Sequence, residues 1–535
     1  MKKLITSIAL ALCTMAAGAQ EPQARTACGV LEGTYEAGIK VFRGVPFAQP
    51  PVGELRWKAP RPVEPWTGVR QAKQFGPNPM QLPIYGDMGF GTDEMSEDCL
   101  YLNIWTPAKT MDERLPVLIY FNGGGLAAGS GSEPRYAGAS MARRGIISIT
   151  ANYREGVFGF MAHPELSKET SYHGSGNYGF MDQAAAIRWV RDNIAAFGGD
   201  PERITIAGES AGSASVSALM ASPTSKGLFA QAIGSSASVM GYDRLATLEE
   251  AEKAGMETMK RTGCRSLQEM RAMPADELMR KAGNTGMQKM YNIDNHFFTE
   301  QPVETFMNGR QARVPLLVGW NSAEMPIQFF TGDRPLTTAT VREVISGRFG
   351  KDTDRVMRAY GLMTDEDVAG TPGARLAGDM FVAFATWKWC DMHTATGGQP
   401  VYRYLFCHPR PAMRMAGKTA GLAGGVKDKT GEDKDETKAT GAVHSADIEY
   451  AMGTLPTNRV YDWQPEDFTV SAVFQGYYLN FVKTGDPNGL GLPQWQPVNG
   501  KDTPPVMQIG IDTYEKTDPQ LENTYRTVDE VVWGK

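Results

Sequence analysis

A serine stands among small residues where a strand-like segment changes into a helix-like one. Residues 203–207 (RITIA) are rich in β-branched apolar side chains, residues 213–222 have helix-compatible spacing, and residues 208–212 (GESAG) lie between them. The pattern G-x-S-x-G is typical of a nucleophile elbow, a sharp turn that exposes the serine oxygen. Ser210 is therefore a candidate nucleophile, provided that a base takes its proton. The alternative is a tight strand–helix junction with an unreactive serine.

Three successive glycines follow another strand-like run, in the segment 120–132 (YFNGGGLAAGSGS). Glycines let backbone N–H groups approach a substrate oxygen closely, and donors fixed in this way stabilise a tetrahedral intermediate. A dinucleotide-binding loop is the alternative interpretation. It fits poorly, because the G-x-G-x-x-G spacing and a helix directly after it are both missing.

The elements that must position these groups alternate along the chain. Segments 182–197 and 213–222 have helical spacing, and short apolar runs typical of buried strands lie at 115–121, 145–154, 203–208, 314–321 and 401–406. This alternation predicts an α/β fold with a large, mostly parallel sheet covered by helices on both faces. Chemistry in such sheets gathers at the carboxyl ends of the strands. Ser210 and the glycine run 123–125 are therefore expected at the same edge.

The histidines offer few candidates for the base. The sequence contains six, at His163, His173, His296, His393, His408 and His444. The first two precede Ser210 and break the order serine, acid, histidine that goes with a nucleophile elbow in an α/β sheet. The next three lack a recognisable turn signature, whereas His444 follows a Gly-Ala turn in GAVHSADIEY. A purely structural histidine is the alternative at this position.

Four segments are long and specific in sequence: 41–60 (VFRGVPFAQPPVGELRWKAP), 95–107 (MSEDCLYLNIWTP), 151–160 (ANYREGVFGF) and 176–216. Through them the chain resembles the type-B carboxylesterases, the family of carboxylesterases, cholinesterases and bacterial para-nitrobenzyl esterases. The resemblance implies a single α/β-hydrolase domain over residues 20–535. It also implies a serine carboxylic ester hydrolase that uses no cofactor or metal and takes a small-molecule ester.

The resemblance also implies a role for each matched position. Ser210 matches the nucleophile, and Glu324 matches the orienting acid of a G-x-N-x-x-E turn at residues 319–324. A solvated loop carboxylate is the alternative for Glu324. His444 matches the base of an H-x-x-[DE] turn, with Asp447 as its acidic member.

The same family likeness supplies the remaining site residues. The backbone N–H groups of Gly124, Gly125 and Ala211 are the expected oxyanion hole. Arg43 and Glu97 match an ion pair that braces the loop at the entrance of the site.

Three departures from the family pattern concern the surroundings of the site. Asn122 stands where the family has His or Tyr before the glycines, which affects substrate preference more than catalysis. Cys99 and Cys264 lack their partner cysteines, so the entrance loop, residues 79–99, is expected to be held by packing and hydrogen bonds. That loop also lacks the tryptophan that binds quaternary ammonium groups, so choline esters are not the expected substrate.

The first nineteen residues predict a signal peptide. Lys2 and Lys3 precede an apolar run at 4–17, and the small residues 17–19 offer a cleavage site. We expect an exported protein, periplasmic or secreted, with no transmembrane segment. A lipoprotein site at Cys13 is a weaker alternative, because the preceding Leu12 is bulky.

Charge and cysteine content exclude several function classes. The formal net charge is −6 and no basic cluster is present, so nucleic acid and anionic membrane surfaces are not expected partners. Five cysteines remain after residue 19, an odd number, with no CxxC or HExxH metal pattern. A disulfide between Cys390 and Cys407 is one pairing that the sequence allows. The oligomeric state is left open.

The sequence says less about the substrate. Aromatic residues at 380–390 either line a pocket or belong to a buried amphipathic helix, and the charged segment 418–440 is either a solvated insertion or a cover for the site. Small or aryl carboxylic esters are the first expectation, and acetyl or feruloyl esters of glycans are the second. A non-catalytic binding protein of the same fold is the alternative from another class.

Overall fold

The computed structural model describes residues 21–283, 291–415, 417–422, 425–428, 441–501 and 503–534. The predicted signal peptide and Cys13 therefore lie outside the described residues. Of the charged segment 418–440, only residues 418–422 and 425–428 are described.

The strands of the described residues form four sheets, of which one is large. They are β1 (Gln23–Thr26), β2 (Gly29–Glu32), β3 (Thr34–Glu36), β4 (Ile39–Pro46), β5 (Val69–Gln71), β6 (Asn78–Pro79), β7 (Met95–Ser96), β8 (Tyr101–Thr106), β9 (Leu115–Phe121), β10 (Ile147–Ala151), β11 (Gly199–Glu209), β12 (Gln231–Ser235), β13 (Leu316–Asn321), β14 (Val401–Phe406), β15 (Lys418–Ala420), β16 (Val426–Asp428), β17 (Pro505–Ile509) and β18 (Tyr514–Thr517).

The helices lie between and after these strands. They are α1 (Ala139–Arg143), α2 (Gly156–Phe160), α3 (Pro164–Lys168), α4 (Tyr178–Asn193), α5 (Ala211–Ala221), α6 (Leu248–Thr262), α7 (Leu267–Ala272), α8 (Ala275–Ala282), α9 (Pro302–Met307), α10 (Gln328–Thr331), α11 (Thr338–Phe349), α12 (Thr353–Tyr360), α13 (Asp365–Ala369), α14 (Thr371–Gly378), α15 (Phe384–Thr396), α16 (Ile448–Met452), α17 (Pro465–Thr484) and α18 (Pro519–Trp533). One π-helical turn, Asp379–Ala383, joins α14 to α15.

The large sheet has eleven strands in the order β18-β17-β14-β13-β12-β11-β9-β10-β8-β4-β3. The strands from β17 to β10 in that order run parallel to one another, and antiparallel strands complete both edges. Helices cover both faces, which confirms the predicted α/β fold. The predicted strand at 115–121 has those bounds, whereas β11 begins at Gly199, before the predicted start at 203.

The alternating side chains of β9 explain why the sheet needs helices on both faces. Val117, Ile119 and Phe121 belong to one buried apolar cluster, and Leu118 and Tyr120 belong to another. Because successive side chains of a strand point to opposite faces, a continuous apolar run such as LPVLIYF must be covered on both sides.

The carboxyl ends of the parallel strands meet at one edge of the sheet, which is where the candidate residues fall. The glycine run 123–125 follows β9, Ser210 follows β11, and Glu324 follows β13. His444 lies on the connection between β14 and α16. The four segments therefore approach one another although they are far apart in sequence.

The cysteines make no covalent link in the described part of the chain. All five of them, Cys28, Cys99, Cys264, Cys390 and Cys407, have free thiols, so the pairing of the last two is not formed. Within the described ranges, no helix has both the length and the apolar character that crossing a bilayer requires.

Candidate functional site

Ser210 occupies a strained turn between β11 and α5. Its φ is +55° and its ψ is −122°, a conformation that costs a non-glycine residue about 1–3 kcal/mol and is concentrated at functional sites. The flanking glycines are required by close backbone approach. A Cβ on Gly208 would lie 2.4 Å from the backbone of Gly212, and a Cβ on Gly212 would lie 2.2 Å from the carbonyl oxygen of Phe121.

His444 lies between Ser210 and Glu324. Its Nδ1 is 2.7 Å from Oε2 of Glu324, and its Nε2 is 3.0 Å from Oγ of Ser210. A carboxylate oxygen accepts hydrogen bonds, so Nδ1 donates to Glu324, and Nε2 faces the serine hydroxyl, whose proton it takes when the imidazole is neutral. The structure thus brings together the three side chains predicted from sequence.

Two neighbours from different strands fix the Glu324 carboxylate. The backbone N–H of Asn321 donates to Oε1 at 2.7 Å, and the hydroxyl of Ser236 donates to the same oxygen at 2.5 Å. Oε2 is thereby left for the imidazole. Ser236 directly follows β12 with a φ of +58°, and sequence reasoning missed it, because a lone serine after a strand carries no motif.

Asp447, the acidic member of the H-x-x-[DE] turn, is buried behind this pair. It accepts hydrogen bonds from Nδ2 of Asn321 and from the Tyr404 hydroxyl, both at 3.2 Å. Burial raises its pKa, and the neighbouring Glu324 raises it further. Asp447 therefore contacts Asn321, which also donates to Glu324, so its place is in the supporting network.

A third carboxylate, that of Glu209, lies next to the imidazole. Its Oε1 is 3.3 Å from Nε2 of His444 and accepts a hydrogen bond from Ser445 at 2.9 Å. Glu209 is the variable second residue of the G-x-S-x-G pattern, so the pattern itself gave no reason to single it out. Its position beside Ser210 in sequence places a carboxyl group on the same side of the imidazole as the serine.

Burial and neighbouring charges shift the pKa values of Glu209 and His444 in opposite directions. Burial raises the pKa of Glu209 to about 7, against the opposing effect of His444. Burial lowers the pKa of His444, but the surrounding carboxylates, Glu209 first and then Glu324, outweigh it and raise that pKa to about 9. The imidazolium form is therefore strongly stabilised once it has taken a proton.

The predicted oxyanion donors come from two segments, the glycine run after β9 and the start of α5. Gly124 and Gly125 have φ values of +108° and +69°, and a Cβ on Gly124 would lie 1.8 Å from the carbonyl oxygen of Ala128. Ala211 is the first residue of α5, so its N–H has no partner within the helix. The hydrogen bonds found among the described residues use none of these three N–H groups as a donor.

Asn122, which departs from the family pattern, holds the glycine run through hydrogen bonds of its side chain. Its Nδ2 donates to Oε1 of Glu155 at 3.0 Å and to the carbonyl oxygen of Gly123 at 2.9 Å. The backbone carbonyl oxygen of Asn122 accepts a hydrogen bond from the Tyr153 hydroxyl at 3.0 Å. The side chain is buried and directed into the protein, so it shapes the loop from behind.

The expected ion pair between Arg43 and Glu97 is wrong. Arg43 pairs with Glu36, and its guanidinium lies over the ring of Phe75 near the edge of the large sheet. Glu97 instead makes a two-point ion pair with Arg56, with N···O distances of 2.7 Å and 2.6 Å. Both arginines precede the entrance loop in sequence, and only the fold decides which one reaches it.

The entrance loop is held without a disulfide. Gln81 and Gly129 exchange two hydrogen bonds of 2.8 Å, the Asn78 side chain donates to the carbonyl oxygen of Thr92, and β6 pairs with β7 at the base of the loop. Gly129 belongs to the segment 120–132 that also contains Gly124 and Gly125. The loop is thus attached directly to the glycine segment.

The aromatic segment 380–390 has two roles. The ring of Phe381 meets the His444 ring edge to face at a centroid distance of 4.9 Å, and Phe329 lies 5.9 Å from Phe381 with 57 % of its surface exposed. Trp387 and Trp389 are fully buried in the core. The π-helical turn Asp379–Ala383 contains Phe381, so only the start of the segment reaches the site.

The described residues contain no group of three or more His, Cys, Asp or Glu side chains arranged to hold a metal ion. The groups that the structure brings together around His444 are a hydroxyl, an imidazole and carboxylates, with backbone amides close by in sequence. This set is able to transfer an acyl group by proton transfer and charge stabilisation.

The chain is similar to known proteins along nearly its whole length. A model of the carboxylesterase family matches residues 20–528. Fumonisin B1 esterase of Sphingopyxis macrogoltabida is 36% identical over 78% of this chain and 81% of that protein. Para-nitrobenzyl esterase of Bacillus subtilis is 32% identical over 82% of this chain and 91% of that protein. A crystal structure of a Geobacillus stearothermophilus carboxylesterase matches with a TM-score of 0.78 at 31% identity, over 95% of this chain and 99% of that chain.

The close backbone contact at Gly212 can be tested by stability. We expect Gly212→Ala to lower the free energy of unfolding by about 3 kcal/mol, because the added methyl group would overlap a carbonyl oxygen in a packed interior. Gly347→Ala is the matched control: Gly347 lies on α11 with no atom near its Cβ position, and alanine there adds about 0.5–1 kcal/mol. Urea unfolding followed by circular dichroism measures both. Equal stability of the two variants would contradict the close contact.

Proposed function

Since the chain belongs to the carboxylesterase family and is a carboxylic ester hydrolase, we propose that it works through an acyl-enzyme formed on Ser210. The observation that supports this mechanism is the imidazole of His444, which lies within hydrogen-bond distance of both the Ser210 hydroxyl and the Glu324 carboxylate. A nucleophile, a base and an orienting acid in this arrangement constitute a catalytic triad.

In the first half of the reaction, His444 takes the proton of Ser210 while the serine oxygen attacks the ester carbonyl. Glu324 keeps Nδ1 protonated and stabilises the imidazolium that forms. The N–H groups of Gly124, Gly125 and Ala211 stabilise the negative oxygen of the tetrahedral intermediate. Donors of this kind contribute about 3 kcal/mol each in other enzymes.

In the second half, the proton on His444 passes to the departing alcohol, which leaves the acyl group on Ser210. Water then attacks this acyl-enzyme, again with His444 as the base. The acid product leaves and the serine hydroxyl is restored. Atoms and protons balance with one water consumed for each ester, and no cofactor takes part.

The substrate class that we propose is small or aryl carboxylic esters. The aromatic patch, which we define as Phe329, Phe330 and Phe381, lies beside the imidazole with part of its surface exposed. Exposed aromatic faces next to a reactive serine bind flat apolar groups well. The name of para-nitrobenzyl esterase, one of the relatives, points to an ester whose alcohol part carries an aromatic ring.

The proposed location is outside the cytoplasm, after removal of residues 1–19. Support comes from the sequence alone: two lysines, an apolar run that ends at residue 17, and small residues before Gln20.

Substitution of the triad tests the mechanism. We expect Ser210→Ala to lower kcat on 4-nitrophenyl acetate by at least about 10⁴-fold, and Glu324→Gln to lower it by a comparable factor, because each removes a member of one catalytic unit. Ser346→Ala is the control, since that serine is exposed on α11. A fluorophosphonate probe should label the wild type and Ser346→Ala but not Ser210→Ala. Wild-type turnover in Ser210→Ala would refute the mechanism.

The negative charge of Glu209 should appear in the pH dependence of kcat/KM. Activity rises with pH as His444 loses its proton, and a carboxylate 3.3 Å from Nε2 opposes that loss. Charges within about 4–6 Å typically shift a pKa by one to three units. We therefore expect Glu209→Gln to move the rising limb of the profile to lower pH by about one unit. Glu202→Gln, an exposed position on the same strand, should leave the limb in place, and an unmoved limb in both variants would contradict the charge effect.

The aromatic patch predicts a preference among esters. We expect Phe381→Ala to reduce kcat/KM for phenyl butyrate relative to methyl butyrate by about three- to tenfold, because an aromatic contact contributes about 0.5–1.5 kcal/mol beyond its buried area. An effect of the substitution on His444 itself changes kcat/KM for both esters alike and therefore cancels in the ratio of the two values. Phe468→Ala is the control, as that side chain is exposed on α17. An unchanged ratio in Phe381→Ala would exclude the patch as the aryl-binding surface.

A further inference from the structure

A small hairpin formed by part of the charged segment packs against the entrance loop. This hairpin consists of β15 and β16, which pair antiparallel with Lys418 opposite Asp428, and the N–H of Gly421 donates to the carbonyl oxygen of Gly425 at 3.0 Å. It belongs to the connection that follows β14, the same connection that carries His444. Its place at the carboxyl edge of the sheet therefore brings it to the side of the site.

The contact between the hairpin and the loop centres on Asp87. The N–H of Gly425 donates to Oδ2 of Asp87 at 2.9 Å. A Cβ on Gly425 would lie 1.8 Å from the Asp87 carbonyl oxygen, and a Cβ on Gly421 would lie 2.1 Å from Asp87 Cγ. Two glycines of the hairpin thus enclose one aspartate, and neither position has space for a side chain.

The residues on either side of Asp87 reach the oxyanion glycines. The Tyr85 hydroxyl lies 2.9 Å from the position that a Cβ on Gly125 would take, and Cε of Met88 lies 3.0 Å from the corresponding position on Gly124. Both side chains are half-buried. Burial raises the pKa of Tyr85, and the carboxylates of Glu155, Asp87 and Glu209 raise it further, so the hydroxyl remains protonated.

We propose that Asp87 is a positioning residue that sets substrate selection: the hairpin holds it, and it in turn holds Tyr85 and Met88 over the oxyanion glycines. This inference rests on the proposed function, because those glycines mark where the ester carbonyl binds. Tyr85 and Met88 limit the space in front of that carbonyl. Release of Asp87 lets the two side chains move away, and bulkier esters then fit.

The position of Asp87 affects Tyr85 and Met88 because the three residues are close together in the backbone. Tyr85 and Met88 are within two residues of Asp87, and the N–H of Met88 donates to the carbonyl oxygen of Tyr85 at 3.4 Å. A displacement of Asp87 is therefore transmitted to both side chains. Sub-ångström changes at such positions alter reactivity, since effective catalysis requires reacting atoms held about 3–3.5 Å apart.

The test compares four variants of the purified protein on two pairs of esters. One pair, 4-nitrophenyl benzoate and 4-nitrophenyl acetate, differs in the acyl group, and the other pair, 1-naphthyl acetate and methyl acetate, differs in the alcohol. We expect Asp87→Ala and Gly425→Ala to raise the bulky-to-small ratio of kcat/KM by about tenfold in at least one pair. Asp87→Asn keeps an acceptor for Gly425 and should restore most of the wild-type ratio. Gly417→Asn is the matched control on the hairpin side, because nothing lies near its Cβ position.

Thermal melting is measured for each variant, since a loss of folding would lower both members of a pair together. If Asp87→Ala does not fold, Gly425→Ala changes the same contact from the hairpin side. Ratios that stay within about twofold of wild type in both pairs, in folded variants, would overturn the proposal.

A double-mutant comparison tests the route through Tyr85 and Met88. In a Tyr85→Ala/Met88→Ala background, adding Asp87→Ala should change the ratio no further, because the residues through which it acts are gone. A full tenfold shift in that background would overturn the proposal. Fluorophosphonate labelling of Ser210 separates the two levels: an unlabelled wild type refutes the proposed function, whereas a labelled enzyme with unchanged ratios refutes only the role of Asp87.

Discussion

The site depends on one imidazole that is shared by two partners from different strands. His444 contacts a serine that follows β11 and a carboxylate that follows β13, at 3.0 Å and 2.7 Å. Hydrogen bonds of this kind weaken steeply with distance and angle. The two strands must therefore keep a fixed spacing, which the pairing of β11, β12 and β13 in one parallel sheet provides. The large sheet therefore determines the distance between Ser210 and Glu324.

The second constraint is electrostatic, because buried carboxylates are costly unless their oxygens accept hydrogen bonds. Glu324 accepts from Ser236 and from a backbone N–H, while Glu209 accepts from Ser445. Two of these donors are serine hydroxyls and the third is a backbone N–H of β13, so none of them adds a bulky side chain beside the carboxylates. The remaining negative charge favours the imidazolium, which is the species that the proposed mechanism forms when the serine oxygen attacks.

Features that depend on residues close together in sequence could be predicted, whereas contacts between residues far apart in sequence could not. The elbow at Ser210, the glycine run and the turn of Glu324 are local patterns, and the alternation of strands with helices led to the α/β fold. Local motifs do not predict which residues from distant segments contact one another. Arg43 was expected to pair with Glu97, yet Arg56 does so, because the choice between two arginines depends on how the chain returns to the entrance loop. Ser236 belongs to the same class, as its neighbour Glu324 is 88 residues away.

The entrance loop shows how such contacts can hold a segment without a covalent link. A disulfide that closed a loop of about twenty residues, the length of the entrance loop, would contribute about 3 kcal/mol. The two hydrogen bonds between Gln81 and Gly129 and those made by Asn78 to the same loop contribute about 1 kcal/mol each, a comparable total. There is a difference of kind, however. A disulfide would fix only the base of the loop, whereas the Gln81 pair attaches it to the segment that carries Gly124 and Gly125, so that the loop and the proposed oxyanion donors are held by the same hydrogen bonds.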